Sequence, residues 1–162
     1  VKSVGESFMR TFHEHHGLDF TIMRFFNTYG PRQKNDFVIS KFIELALANK
    51  DLTIYGDGSQ TRSFLHVADN IEFTIKILEE NKLINDVVNV GSDKEITIID
   101  LANLIIESLD SKSKIVFLPP LKEGDMTRRQ PDISKMKSVF NKEIISLKDG
   151  IKSVASSNLL LK

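Results

Sequence analysis

Arg24-Phe25-Phe26-Asn27-Thr28-Tyr29-Gly30-Pro31-Arg32 is the stretch on which the fold turns. Thr21-Ile22-Met23 before it is short, apolar and β-branched, the composition of a buried strand. Gly30-Pro31 after it forces a turn, because Gly tolerates positive φ and Pro fixes φ and ends strand pairing. Asn27, Thr28 and Tyr29 therefore stand at the carboxyl end of a strand, the edge at which open α/β sheets bind ligands. Asn27 either bonds its own turn or faces such a ligand.

Outward from this stretch, helical and strand patterns alternate. Val1, Val4, Phe8 and Phe12 fall at three- and four-residue spacing, so residues 1–16 read as a helix stopped by Gly17. Lys2 and Glu6 stand four apart on its polar side, the spacing of a surface ion pair. Asp19 to Tyr29 is the first strand and its tip, and residues 31–36 form a polar loop. Phe37 to Ala48 is an apolar-faced helix, Leu52 to Tyr55 a strand, and Gly56-Asp57-Gly58-Ser59 a turn. Asp69 to Glu80 reads as a helix whose apolar side is Ile71, Phe73, Ile75, Ile77 and Leu78. Asp86 to Val90 is a strand ending at Gly91, with polar Asn89 inside it. An amide so buried bonds either backbone or ligand, since leaving it unbonded costs about 1–3 kcal/mol. Thr97 and Asp100 have capping-box spacing for a helix to Leu109. Lys114 to Leu118 is a strand, Lys122 to Pro131 a charged loop, and a helix runs from Asp132 or Ser134 to Phe140. The last twenty residues are less patterned.

The bulk numbers exclude several classes. A chain of 162 residues suffices for one domain with a core. Net charge is +0, which gives no general pull toward nucleic acid or anionic membrane, and neither is expected as a partner. No apolar run approaches the roughly 20 residues of a membrane helix. The absence of cysteine excludes disulfides, thiolate catalysis and Cys-bound zinc, and suits a reducing, cytoplasmic setting. His13, Glu14, His15 and His16 miss the His-Glu-x-x-His metal pattern because position 17 is Gly, so no metal is expected.

Five stretches, in order, carry a resemblance: Lys2-Ser3-Val4-Gly5-Glu6, the Arg24–Pro31 segment, Gly58 to Phe64 (Gly-Ser-Gln-Thr-Arg-Ser-Phe), Val88-Asn89-Val90-Gly91 and Arg128-Arg129-Gln130-Pro131-Asp132. The chain resembles the extended short-chain dehydrogenase/reductase family, the NAD-dependent nucleotide-sugar epimerases, dehydratases and decarboxylases. The resemblance implies an α/β fold, the C-terminal part of an extended Rossmann-type enzyme. Helix 1–16 and strand 20–29 would end the cofactor domain, and the remainder of residues 1–162 would be the nucleotide-sugar-binding portion. The Gly-rich cofactor turn and the catalytic Tyr, expected four residues before Lys2, are not in this sequence, so the isolated chain is expected to lack turnover.

In the family scheme Lys2 is the catalytic lysine that bonds the nicotinamide ribose and tunes that Tyr. Phe25 and Thr28 would line the nicotinamide end of NAD. Asn27, Tyr55, Arg62, Asn89 and either Arg128 or Arg129 would hold a UDP- or other nucleotide sugar, the arginines by gripping its diphosphate. His66 sits where the family usually has a structural residue. Gln-Thr-Arg-Ser-Phe and Arg-Gln-Pro-Asp-Ile-Ser-Lys look more like the UDP-sugar 4-epimerase and UDP-glucuronate decarboxylase branches than the 4,6-dehydratases. A 4,6-dehydratase, or a non-catalytic nucleotide-sugar-binding fragment, is the alternative. The apolar face of helix 1–16 implies a homo-oligomer.

Overall fold

The computed structural model describes residues 2–120 and 128–159, the side chains of residues 129, 158 and 159 excepted. Helix α1 (Lys2–His16) leads into β1 (Thr21–Phe25) and β2 (Thr28–Tyr29), then α2 (Val38–Leu47), β3 (Leu52–Tyr55), β4 (Thr61–Ser63) and β5 (Leu65–His66). There follow α3 (Val67–Glu79), β6 (Asp86–Val90), β7 (Glu95–Thr97), α4 (Ile98–Ser108), β8 (Ile115–Leu118), β9 (Arg128–Arg129), α5 (Ser134–Val139) and α6 (Leu147–Leu159).

The strand expected over residues 20–29 is broken. Strand β1 runs parallel to β6, Thr21 opposite Asp86 and Phe25 opposite Val90. Strand β2 instead runs parallel to β5, Thr28 opposite Leu65. Asn27 lies at the break with a φ of 35°, a left-handed value that Asn tolerates better than most residues. The chain thus switches partners between Phe25 and Thr28. Gly30 serves differently from expectation. Its φ is not positive; a Cβ there would lie 2.3 Å from Val67 Cγ1, so Gly is needed for close approach to α3.

Strand β3 pairs in parallel with β8. Strand β4 is central in a three-stranded sheet, antiparallel to β7 and parallel to β9. Two apolar cores flank these small sheets. The larger packs α2, α4 and α6 on β3 through Phe42, Ile43, Leu52, Leu101, Ile105 and Ile151. The smaller packs α3 and α5 on β6 through Phe73, Ile77, Val88, Val90, Met136 and Phe140. Tyr29 belongs to the first core and Leu65 to the second, so the β2–β5 pair joins them.

Several sequence patterns are used differently from expectation. Only Phe73 and Ile77 of the apolar residues expected on α3 are buried; Ile71, Ile75 and Leu78 are exposed. Helix α1 buries none of its residues, and Val4, Phe8, Met9 and Phe12 all face outward. Glu6 does not serve Lys2 but gives both carboxylate oxygens to Arg24, at 2.8 and 2.6 Å. Helix α6 occupies the terminal region that looked unpatterned. It buries Ile151, Val154 and Ala155 at helical spacing, and Gly150 lies in contact with the Tyr29 ring, where a Cβ would fall 2.0 Å from the hydroxyl. Thr97 caps α4 as its spacing foretold: Oγ1 accepts from Asp100 N at 3.0 Å and donates to Asp100 Oδ2 at 2.6 Å. Val1, residues 121–127 with Glu123 and Asp125, and Leu160-Leu161 fall outside the described residues.

Candidate functional site

A cleft of about 1030 Å³ opens at the carboxyl end of β2, beside β3 and β4. That volume is at the upper end of what small-molecule sites use. Five of the residues singled out from sequence line it: Phe25, Asn27, Thr28, Tyr55 and Arg62. They come from β1, β2, β3 and β4 and from the β1–β2 break, where the chain leaves the β6 pairing for β5.

Asn27, Thr28 and Arg62 each have a traceable anchor. The Asn27 side-chain amide donates to the Ser63 carbonyl at 3.0 Å, and the Asn27 backbone carbonyl accepts from Leu65 N at 3.3 Å. One amide hydrogen of Asn27 is thus used on the backbone of a distant segment rather than on its own turn. It ties the strand break to the segment that carries Arg62. Thr28 Oγ1 accepts from Asn70 Nδ2 at 2.9 Å, which fixes the threonine against α3. Arg62 Nη1 donates to the Thr61 carbonyl at 2.7 Å. Phe25 and Tyr55 are about half exposed, at 51% and 42%, and present ring surface to the cleft.

Sequence reasoning missed Phe37, Phe64 and Gln33. Phe37 opens the apolar-faced helix expected over 37–48, but it caps α2 from outside, 56% exposed, as a cleft wall. Its signal was position: an aromatic just after a polar loop that follows a strand tip. Gln33, in that loop, donates to the Thr28 carbonyl at 2.8 Å and accepts from Ser40 Oγ at 3.1 Å, holding the loop to the strand end.

The remaining candidates lie elsewhere. Lys2 is exposed on the first turn of α1 and does not line the cleft. Asn89 is half-buried rather than buried, and donates to the Asp132 carbonyl at 3.0 Å, the backbone alternative of its sequence reading. Arg128 is engaged by Glu95: Nε lies 3.1 Å from each carboxylate oxygen and Nη2 2.8 Å from Oε2. That contact holds the Glu95 carboxyl below the usual carboxylate range. Arg129 is in backbone register with Arg62 across the β4–β9 pair.

Tyr29, which lines the cleft, leads back to buried His66 and Asp69. The Tyr29 and His66 rings meet edge-on at 5.3 Å. His66 Nδ1 accepts from Ala68 N at 3.2 Å and caps α3, so its structural reading fits. In the neutral ring the proton is then on Nε2. Asp69 Oδ2 accepts from Ile145 N at 2.9 Å. The Tyr29 hydroxyl, His66 Nε2 and Asp69 Oδ1 have no protein partner among the described residues. Burial, then the Asp69 and Asp149 charges, push the Tyr29 hydroxyl well above its usual range. Tyr29 is therefore a neutral phenol packed into the larger core.

Residues 1–91 match the family model described as the NAD dependent epimerase/dehydratase family. The chain is 41% identical over 131 residues to a UDP-N-acetyl-alpha-D-glucosaminuronate decarboxylase of Bacillus cytotoxicus, covering 76% of this chain and 40% of that protein. It is 36% identical to UDP-glucuronic acid decarboxylase 1 of Arabidopsis thaliana, over 96% of this chain and 36% of that one. The crystal structure of UDP-glucose 4-epimerase from Thermotoga maritima with UDP-glucose superposes with a TM-score of 0.89 at 30% identity, over 99% of this chain and 53% of that chain. The fold is thus of the Rossmann-type epimerase kind, and the chain spans roughly half or less of the length of each of these proteins.

Proposed function

The chain belongs to the NAD dependent epimerase/dehydratase family, and from that premise we propose that it is the nucleotide-sugar-binding part of a UDP-sugar 4-epimerase or UDP-glucuronate decarboxylase working through a 4-keto sugar. The observation that carries this reading is the cleft in which Asn27, Thr28, Tyr55 and Arg62 meet between aromatic walls. Aromatic surface suits a base, and a planar guanidinium suits a diphosphate. The similarity to two uronate decarboxylases supports an acidic sugar.

In this reading Arg62 grips the diphosphate, and Arg129 rather than Arg128 joins it, because the Arg128 guanidinium is already committed to Glu95. Tyr55 flanks the nucleotide. Phe25 and Thr28 offer an apolar face and a hydroxyl at the strand end, which fits the nicotinamide end of NAD. When bound, NAD supplies the hydride acceptor and donor at the sugar carbon. This chain's residues do the rest of the positioning: binding energy from the remote diphosphate orients the sugar. Lys2 is assigned to the nicotinamide ribose. Asn89 acts through the backbone it fastens. In domain terms α1 and β1 close a cofactor-binding unit, and the chain from β2 onward forms the sugar-nucleotide portion. The exposed α1 face is assigned to a homo-oligomer contact.

Calorimetric titration with UDP and with uridine tests the diphosphate assignment. Charge-assisted bonds worth about 1.5–3 kcal/mol predict UDP binding at least about tenfold tighter than uridine. Equal affinities would refute the arginine role.

A further inference from the structure

The Arg128–Glu95 contact raises the question of what a carboxylate is doing beside a site meant for phosphate. Glu95 opens β7 and sits diagonally across from Thr61 on the antiparallel β4–β7 pair. Its Oε1 accepts from Thr61 Oγ1 at 2.8 Å, and both oxygens accept from Arg128. Arg128 also donates to Gln130 Oε1 at 2.8 Å, and Gln130 Nε2 donates to the Asp93 carbonyl at 2.8 Å. One side chain of β7 therefore ties the other two strands of the sheet, β4 and β9.

Alternation along a strand sets the consequence. Successive side chains of a strand point to opposite faces. Thr61 and Arg128 are register partners and both reach Glu95. Arg62, the next residue of β4, lines the cleft, and its register partner is Arg129. A slip of one residue would bring Arg128 level with Arg62 and release the Glu95 contact. Among the described residues β9 comprises Arg128–Arg129, a short pairing to which the Glu95 contact adds a side-chain tie.

We infer that Glu95 is a positioning residue for the phosphate site: by holding Thr61 and Arg128 on one side of the β7-β4-β9 sheet, it fixes the register that sets Arg129 level with Arg62. The inference rests on the diphosphate reading of the cleft. Arg128 becomes an anchor rather than a ligand, which explains two adjacent arginines with different duties.

Arg128 is exposed and Glu95 only half-buried, and pairs so open to solvent add little to stability. Glu95→Gln should therefore leave the thermal midpoint nearly unchanged. It should weaken UDP binding on the order of tenfold, as loss of a supporting contact does at other sites, and speed amide exchange at Arg62 and Arg129. The charge swap Glu95→Arg with Arg128→Glu should restore both readouts. Parent affinity and parent exchange in Glu95→Gln would overturn the inference, as would a swap that rescues nothing. Arg62→Ala separates this from the site reading itself: if it abolishes UDP binding while Glu95→Gln does not weaken it, the site stands and the Glu95 role falls. If the parent chain binds no UDP, the site reading falls and the Glu95 role with it.

Discussion

Gly30 gives the sharpest test of how the strand tip is held. A Cβ at this buried position would lie 2.3 Å from Val67 Cγ1 and 2.9 Å from Val67 Cβ. Carbon atoms in good contact are about 3.5–4.0 Å apart. Val67 is the first residue of α3, and a β-branched side chain on a helix has essentially one rotamer, so it does not swing away. Gly30→Ala must then push β2 from α3, and overpacking of this kind costs about 1–3 kcal/mol. For a chain of this size that is a fall of roughly 4–8 °C in Tm at the middle of the range. Val67→Ala removes the atom at 2.3 Å and leaves the one at 2.9 Å. The double variant should recover about 1–2 kcal/mol of the loss, a coupling read from a double-mutant cycle in urea. A neutral Gly30→Ala, or strictly additive single changes, would refute the close-approach account and return Gly30 to a simple turn role.

Three further outcomes follow from the same structure. Tyr29→Phe deletes a buried hydroxyl with no protein partner among the described residues, so the urea midpoint should hold or rise, and a loss beyond about 1 kcal/mol would show that the hydroxyl is bonded. Burial lowers the His66 pKa and the Asp69 charge only partly opposes this, so the folded chain binds that proton less readily than the unfolded chain. Stability from His66 is thus complete above the ordinary histidine pKa of about 6.5 and is lost as pH falls below it toward the folded value. His66→Asn, which keeps a capping acceptor, should flatten the fall in stability between pH 7 and 5; an unchanged slope would contradict this. Finally, the outward face of α1 should make the chain's mass in light scattering rise with concentration above 18.4 kDa, and Phe8→Glu should abolish the rise. A monomer at every concentration would speak against the contact.

The strand tip was legible because its signals are local. A β-branched run ending at polar residues and Gly-Pro announces a strand end, and Asn27, Thr28, Tyr55 and Arg62 do meet in one cleft. The partner switch was not legible, since nothing local says that β2 leaves β6 for β5. Helix α6 escaped notice because Gly150 and serines interrupt its apolar spacing, and Gly150 is explained only by Tyr29, 121 positions earlier in sequence numbering. On α3 the apolar residues run round the helix, so periodicity alone did not show that Phe73 and Ile77 face inward. The pairing of Arg128 with Glu95, a carboxylate more than thirty residues away, is encoded by no motif spacing.

The central claim is that the cleft at the end of β2 receives a nucleoside diphosphate. Amide chemical-shift mapping of the labelled 18.4 kDa chain titrated with UDP tests it most directly. The account predicts saturable shifts clustered at Asn27, Thr28, Tyr55, Arg62 and Phe64, with α1 and Asn89 nearly still, and no such cluster in Arg62→Ala. Shifts centred elsewhere, or none at millimolar UDP, would contradict it.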